Sequence, residues 1–329
     1  MTSRYAVVHV GTHKTGTTAL QVFLAVNRPL LESAGIHYPR AGRHDLGGGM
    51  MTPGHHQIAM DLMAGETSSS LDAALAEIAA VDASAVVLSS EEFQMLLPRP
   101  GALEAVAAGL RERGYVPVAI VYLRAQPYYA ESVYAEMIKG GWLTDFDAYL
   151  ASIVRDGAFT PPGSARTMTF DYPRLVAQLE TAVGAAIVRA YRSGASDDAL
   201  PRDFLTMVGG LRGSLKVDGL KNPMPRANES QTLRQLIASL YAIAGRPEEL
   251  PPDVAPGELD QRFALLTRGD VSRFFRRFGE GNAAVDARFG ITIGFSTPAD
   301  VPPREDPRFA RARRHREILG RIIETLGLL

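Results

Sequence analysis

The stretch "VHVGTHKTGTTAL", Val8 to Leu20, constrains the chain more than any other. A β-rich run from Arg4 ends at Gly11, and a turn of glycine and threonine follows. Helical spacing of Leu20, Phe23, Leu24, Leu30 and Leu31 begins at Thr17, with Pro29 expected to interrupt it. Strand, Gly-x4-Gly and helix together wrap backbone N–H groups and a helix N-terminus around an anion. A nucleotide triphosphatase of this shape reads Gly-x4-Gly-Lys-Ser/Thr. Here Gly11 and Gly16 keep the glycine spacing, but Thr17 stands in the lysine position. Lys14 lies three residues nearer the strand.

A lysine inside the loop can reach the oxygen that bridges a 5′-phosphate to a transferred group, where leaving-group charge develops. A sulfuryl group carries less charge than a phosphoryl group, so a magnesium site becomes dispensable. The rest of the chain supplies a sheet for such a loop. "GIHYP" (Gly35 to Pro39), Ser84 to Phe93, Val116 to Arg124, "ARTMTFDYP" (Ala165 to Pro173) and "AAIVRAY" (Ala185 to Tyr191) read as strands. Helical patterns at Leu71 to Val81, Gly101 to Arg113 and Pro127 to Lys139 alternate with them. This alternation predicts an α/β chain: a P-loop three-layer fold with a mostly parallel sheet. Residues 1–200 are expected to form that core, with 201–329 a mainly helical part packed on it. Helices are expected there over Ser230 to Ala244, Asp270 to Phe278 and Arg311 to Leu328.

A second stretch, "YLRAQPYYAESVY" (Tyr122 to Tyr134), is a strand ending at Arg124, a turn through Pro127 and a helix carrying Ser132. A guanidinium forks onto phosphate oxygens, and a hydroxyl donates from a rigid helix. With "HKTGTT" (His13 to Thr18), this pair resembles the sulfotransferases that use 3′-phosphoadenosine 5′-phosphosulfate (PAPS). The Lys-Thr-Gly-Thr-Thr form is similar to the heparan-type and bacterial members more than to the cytosolic ones. The resemblance spans Arg4 to Lys139. It implies that His13, Lys14, Thr15, Gly16, Thr17 and Thr18 hold the 5′-phosphosulfate, and that Arg124 and Ser132 hold the 3′-phosphate. It implies catalysis by Lys14 without a required metal. A further Arg-Lys-Gly element of the cytosolic members has no clean copy. "LRGSLK" (Leu211 to Lys216) and "LKNPMPRANES" (Leu220 to Ser230) are the basic substitutes.

Transfer to a hydroxyl or amine needs a base within hydrogen-bond reach. Glu91, at the C-terminal end of a parallel strand, leads the candidates. His55 follows, with Glu92, His44 and His56 as further candidates. The glycine-rich segment Arg40 to His56 reads as a lid or binding loop. The segment Arg40 to Gly65 and the helical C-terminal part are expected to form an acceptor pocket using Met50, Met51, Tyr128, Tyr129, Trp142 and Phe146.

The acceptor class stays open among a small molecule, a carbohydrate and a lipid-like alcohol. Lys+Arg 35 against Asp+Glu 36 argues against a nucleic-acid partner, despite arginine-rich "RFFRRFG" and "RFARARRHRE". The absence of cysteine excludes disulfides and a thiolate nucleophile. With no signal peptide or membrane span in the pattern, a cytoplasmic location is expected. Nothing in the sequence sets the oligomeric state. Two alternatives stand beside the sulfotransferase: a P-loop kinase or nucleotide hydrolase, and a non-catalytic nucleotide-binding protein.

Overall fold

The first strand, β1 (Arg4–Val10), is buried on both faces, as the run "RYAVVHV" requires. A computed structural model of the chain describes residues 3–47, 50–65, 68–192, 196, 198–213, 217–222 and 232–329. From the loop after β1 springs helix α1 (Thr17–Val26), which ends at Asn27 before a short helix that carries Pro29 in its first turn. Next come β2 (Ile36–His37), α2 (His56–Ala64), β3 (Ala85–Ser90), β4 (Tyr115–Leu123), α3 (Gln126–Lys139) and β5 (Ala186–Ala190). The strands pair in the order β2-β3-β1-β4-β5, and every pairing is parallel.

That order places the site. The chain crosses from β1 to the edge strand β2, returns to β3 beside β1, and then crosses to β4 on the other side. The C-terminal ends of β3, β1 and β4 therefore flank the point where strand order reverses, the crevice where ligands bind in open α/β sheets. Alternate residues feed two apolar layers. Val8, Val10, Leu88, Val121 and Leu123 pack with Leu75, Leu110 and Leu179 on one face. Val7, Val87, Ile120 and Tyr122 pack with Leu20, Phe23, Leu31 and Phe204 on the other. The result is a three-layer α/β/α fold.

A third cluster joins α3, through Tyr129, Val133 and Ile138, to the C-terminal helices. Those include Leu233–Ile243, α4 (Arg268–Phe289) and α5 (Pro307–Leu326). Among the described residues no helix is long and apolar enough to cross a membrane.

Two expectations are corrected. The strand expected over Ala165 to Pro173 shrinks to Met168–Thr169, antiparallel to Ala158–Phe159 and outside the main sheet. Asp171 caps a helix at Arg174 N, and Pro173 sits in its first turn, so the chain is already helical from Tyr172. The helix expected over Asp270 to Phe278 runs on to Phe289. Gly279 and Gly281 do not break it. A Cβ on Gly279 would lie 2.8 Å from Phe275, and one on Gly281 2.9 Å from Pro173. These glycines serve close packing.

Candidate functional site

Between β1 and α1 the loop folds back on itself. Thr15 Oγ1 donates to Thr12 O (2.6 Å), and Thr12 Oγ1 donates to Tyr122 O (2.9 Å) across the crevice on β4. Lys14 has φ +64°, the one positive value at a non-glycine among the described residues, followed by Gly16 at +79°. This left-handed turn costs an L-residue about 1–2 kcal/mol. Gly11 is needed for space, since a Cβ there would sit 2.6 Å from Thr17 Oγ1 and 3.1 Å from the backbone of Glu91. No side chain caps α1, so its first N–H groups have no side-chain acceptor at the cap. Thr17 Oγ1 is buried beside them without a partner. A loop with an uncapped helix end and an orphaned hydroxyl fits an anion.

The two motifs meet at one guanidinium. Arg124 Nη1 donates to Ser132 Oγ (3.0 Å) and to Lys14 O (3.3 Å). Ser132 lies in α3, whose fourth following residue, Glu136, takes the Lys14 ammonium at 3.3 Å. Burial pushes the Arg124 pKa down, and nearby Arg262 pushes the same way. A poorly solvated cation beside a like charge is stabilised by an anion.

The C-terminal helical part completes this end. Arg124, Arg262, Arg308 and Arg311 line a cavity of about 360 Å³ together with Tyr128, Tyr191 and Glu131. Arg308 lies over the Tyr128 ring at 5.3 Å, and Arg311 Nε is buried without a partner. The segment that bears Arg262 is pinned from two helices. Glu131 accepts from Leu265 N (2.6 Å) and Leu266 N (3.1 Å), and His315 Nδ1 accepts from Ala264 N (3.0 Å). A neighbouring cavity of about 320 Å³ shares Tyr191 and is bordered by Leu200 and Thr292. Leu200 also closes on Gly16, where a Cβ would meet it at 2.7 Å.

The sequence reading missed Arg262, Arg308 and Arg311. The signal was present in "RFARARR", where Arg308 and Arg311 share one helix face at i and i+3. The basic substitutes expected at 211–216 and 220–230 lie partly outside the described residues. Lys221, which is described, bonds through its backbone N–H and carbonyl to the side-chain amide of Asn27 at the end of α1.

At the other end of the loop, Glu91 follows β3 directly. Its Oε2 accepts from Gln21 Nε2 at 3.0 Å and lies 3.8 Å from His56 Nδ1. His56 Nδ1 is 2.9 Å from Ser90 Oγ. Glu92 turns away, to Arg166 at 3.5 Å. His13 stays in the loop, half-buried. His44 bonds Gln57 at 2.6 Å, in a chain that leads to Asp61.

His55 as an acceptor base is corrected. It is fully buried, its Nδ1 accepts from Ser89 N (3.0 Å), and its Nε2 donates to Pro39 O (3.1 Å). Burial, with Arg43 nearby, pushes its pKa down to about 3. Both nitrogens are committed to backbone, so His55 locks the Pro39 turn to β3.

Of the expected acceptor-pocket residues, Met50, Met51 and Trp142 are exposed. Tyr128 belongs to the arginine cavity, Tyr129 is core, and Phe146 packs on Tyr134 and Tyr149.

No family model matches the chain, and no curated protein matches it. Among solved structures it is similar to the crystal structure of a sulfotransferase from Alicyclobacillus acidocaldarius. The identity is 15% and the TM-score 0.44, over 88% of this chain and 97% of that one.

Proposed function

We propose that this protein is a sulfotransferase that takes its sulfuryl group from PAPS and passes it to a hydroxyl or amine of an acceptor. The observation that carries the reading is the single guanidinium of Arg124, which joins Ser132 to the Lys14 loop. It links two anion-holding sites at the ends of adjacent strands, as a nucleotide with phosphates at both ends of its ribose demands. The fit is supported by the orphaned Thr17 hydroxyl and by the unpartnered Arg311 Nε in the four-arginine cavity.

In this reading the loop from His13 to Thr18 holds the 5′-phosphosulfate through backbone and hydroxyl donors. Arg124, Ser132 and Arg262 hold the 3′-phosphate, with Arg308 and Arg311 deepening the positive field. Tyr191, shared by both cavities, offers an aromatic face on which a purine can stack. PAPS supplies an activated sulfuryl group whose leaving group is a phosphate. Lys14 holds the charge that develops on that phosphate, and the Glu91–His56 pair faces the acceptor side.

The first test is thermal unfolding with 3′,5′-ADP, compared with ATP plus magnesium. A ligand at about 100 times its Kd adds about 2.7 kcal/mol to the folded state. We expect 3′,5′-ADP to raise Tm without metal, ATP to do little, and Arg124→Ala to remove the advantage of 3′,5′-ADP over 5′-AMP. Stabilisation by ATP and not by 3′,5′-ADP would replace this reading with a P-loop kinase or nucleotide hydrolase.

Glu136 competes with the nucleotide for Lys14. An exposed pair of this kind contributes about 0–1 kcal/mol. Glu136→Gln is therefore expected to tighten 3′,5′-ADP binding by up to about fivefold, read by titration calorimetry. Weaker binding in that variant would show that Glu136 helps to place Lys14 instead of withholding it.

A further inference from the structure

His56 is held differently from the other histidines at the crevice. It opens α2, and its ring is mostly but not fully buried, with a side-chain exposure of 14%. Nδ1 faces two oxygens, Ser90 Oγ at 2.9 Å and Glu91 Oε2 at 3.8 Å. Among the described residues Nε2, on the opposite side of the ring, makes no hydrogen bond. His55, one residue earlier, spends both nitrogens on backbone. Glu91 is itself anchored by Gln21, and Gln21 is fixed in turn by Gly54, where a Cβ would lie 2.5 Å from its amide.

The tautomer of His56 decides what it can do. Ser90 Oγ already accepts from Glu92 N at 3.1 Å, so it has one hydrogen to give and one lone pair left. If Ser90 gave that hydrogen to Nδ1, the ring would carry its own hydrogen on Nε2 and could accept no proton there. The carboxylate of Glu91 on the same side favours the other arrangement, with hydrogen on Nδ1 and a lone pair on Nε2. An ordinary imidazole is also a stronger base than an ordinary carboxylate by about two pKa units, closer to what deprotonating a hydroxyl near neutrality needs.

We propose that His56 is the residue that takes the acceptor's proton, and that Glu91, Ser90 and Gln21 are positioning residues that set its tautomer. The proposal rests on the sulfotransferase reading above and is stated for a hydroxyl acceptor. As the acceptor oxygen bonds to sulfur, its O–H proton passes to Nε2. The bond from sulfur to the 5′-phosphate oxygen breaks, and its electron pair leaves with the phosphate beside Lys14. The imidazolium then returns its proton to solvent.

The test needs no acceptor. Long-range 1H–15N correlation spectra of the full chain with labelled histidine, above neutral pH, report each ring's tautomer. His56→Asn, which keeps a donor toward Ser90, identifies the His56 signal by its loss. We expect the Nδ1–H form in the wild type and a shift toward Nε2–H in Glu91→Ala. A wild-type ring carrying its hydrogen on Nε2, or a tautomer indifferent to Glu91, overturns the proposal.

A second readout is sulfate release from PAPS with water as acceptor. His56→Asn should slow it by about 10²-fold, with 3′,5′-ADP affinity unchanged, and an unchanged rate overturns the assignment. Failure of 3′,5′-ADP to bind would defeat the sulfotransferase reading instead, and the tautomer would still be readable, so the two failures are distinct.

Discussion

Replacing Lys14 with alanine is expected to slow sulfuryl transfer from PAPS by about 10²–10³-fold while leaving the fold intact. The size follows from what one donor aimed at developing charge contributes in a site of this kind. Stability should hold because the backbone at this position is strained for lysine and alanine alike, at φ +64°. The lost ion pair with Glu136 is half-exposed and contributes little. Affinity for 3′,5′-ADP should fall by less than tenfold, since Arg124 and the loop backbone remain. Lys14→Gly sharpens the experiment. Glycine adopts the left-handed turn freely, so this variant should be more stable than Lys14→Ala by about 1 kcal/mol and equally inactive. Full activity in either variant, measured as single-turnover release of 3′,5′-ADP, would remove Lys14 from the mechanism.

What could be read in the sequence was whatever is local. The loop from Gly11 to Thr18 and the Arg124-to-Ser132 spacing are contained in short strand–turn–helix units, whose geometry is set by neighbours in the chain. Arg262, from the segment before α4, and Arg308 and Arg311, from α5, reach the same cavity from more than a hundred residues away, and no spacing in the sequence announces that meeting. His55 and His56 show the limit most sharply. They are adjacent and chemically identical, yet one turns into the core to bond β3 and the other faces Glu91. Which does which depends on where α2 begins, and the glycine-rich run before it carries no periodicity from which to read that boundary. Gly279 and Gly281 mislead in the same way, because their role lies in the partners Phe275 and Pro173.

Acidification should destabilise the folded chain well above the range in which carboxylates titrate. Burial pushes His9 down to about 4, against a smaller opposing pull from Glu91, His55 down to about 3, and His315, with Arg311 nearby, down to about 4. Unfolded, all three titrate near 6.5. Between 6.5 and the lowered values the unfolded state binds protons that the folded state refuses, so stability rises with pH. It is complete above 6.5, is lost progressively below that, and the loss is complete once pH has fallen through 4 and 3. Each histidine contributes a slope of up to about 1.4 kcal/mol per pH unit, or about 2 kcal/mol between pH 6.5 and 5. Glu77 acts later. Burial raises it, but bonds from His37, Ala41 and Arg40 hold it at about 2, so its loss begins below 4.5. Glu131, raised by burial, opposes the trend. Urea unfolding at pH 7 and pH 5 should therefore show a clear fall in stability. His9→Gln, which keeps a polar group against Ser89, should remove about a third of that slope. Equal stability at the two pH values would mean that His9, His55 and His315 take up protons within the fold, and that their surroundings open more readily than their burial implies.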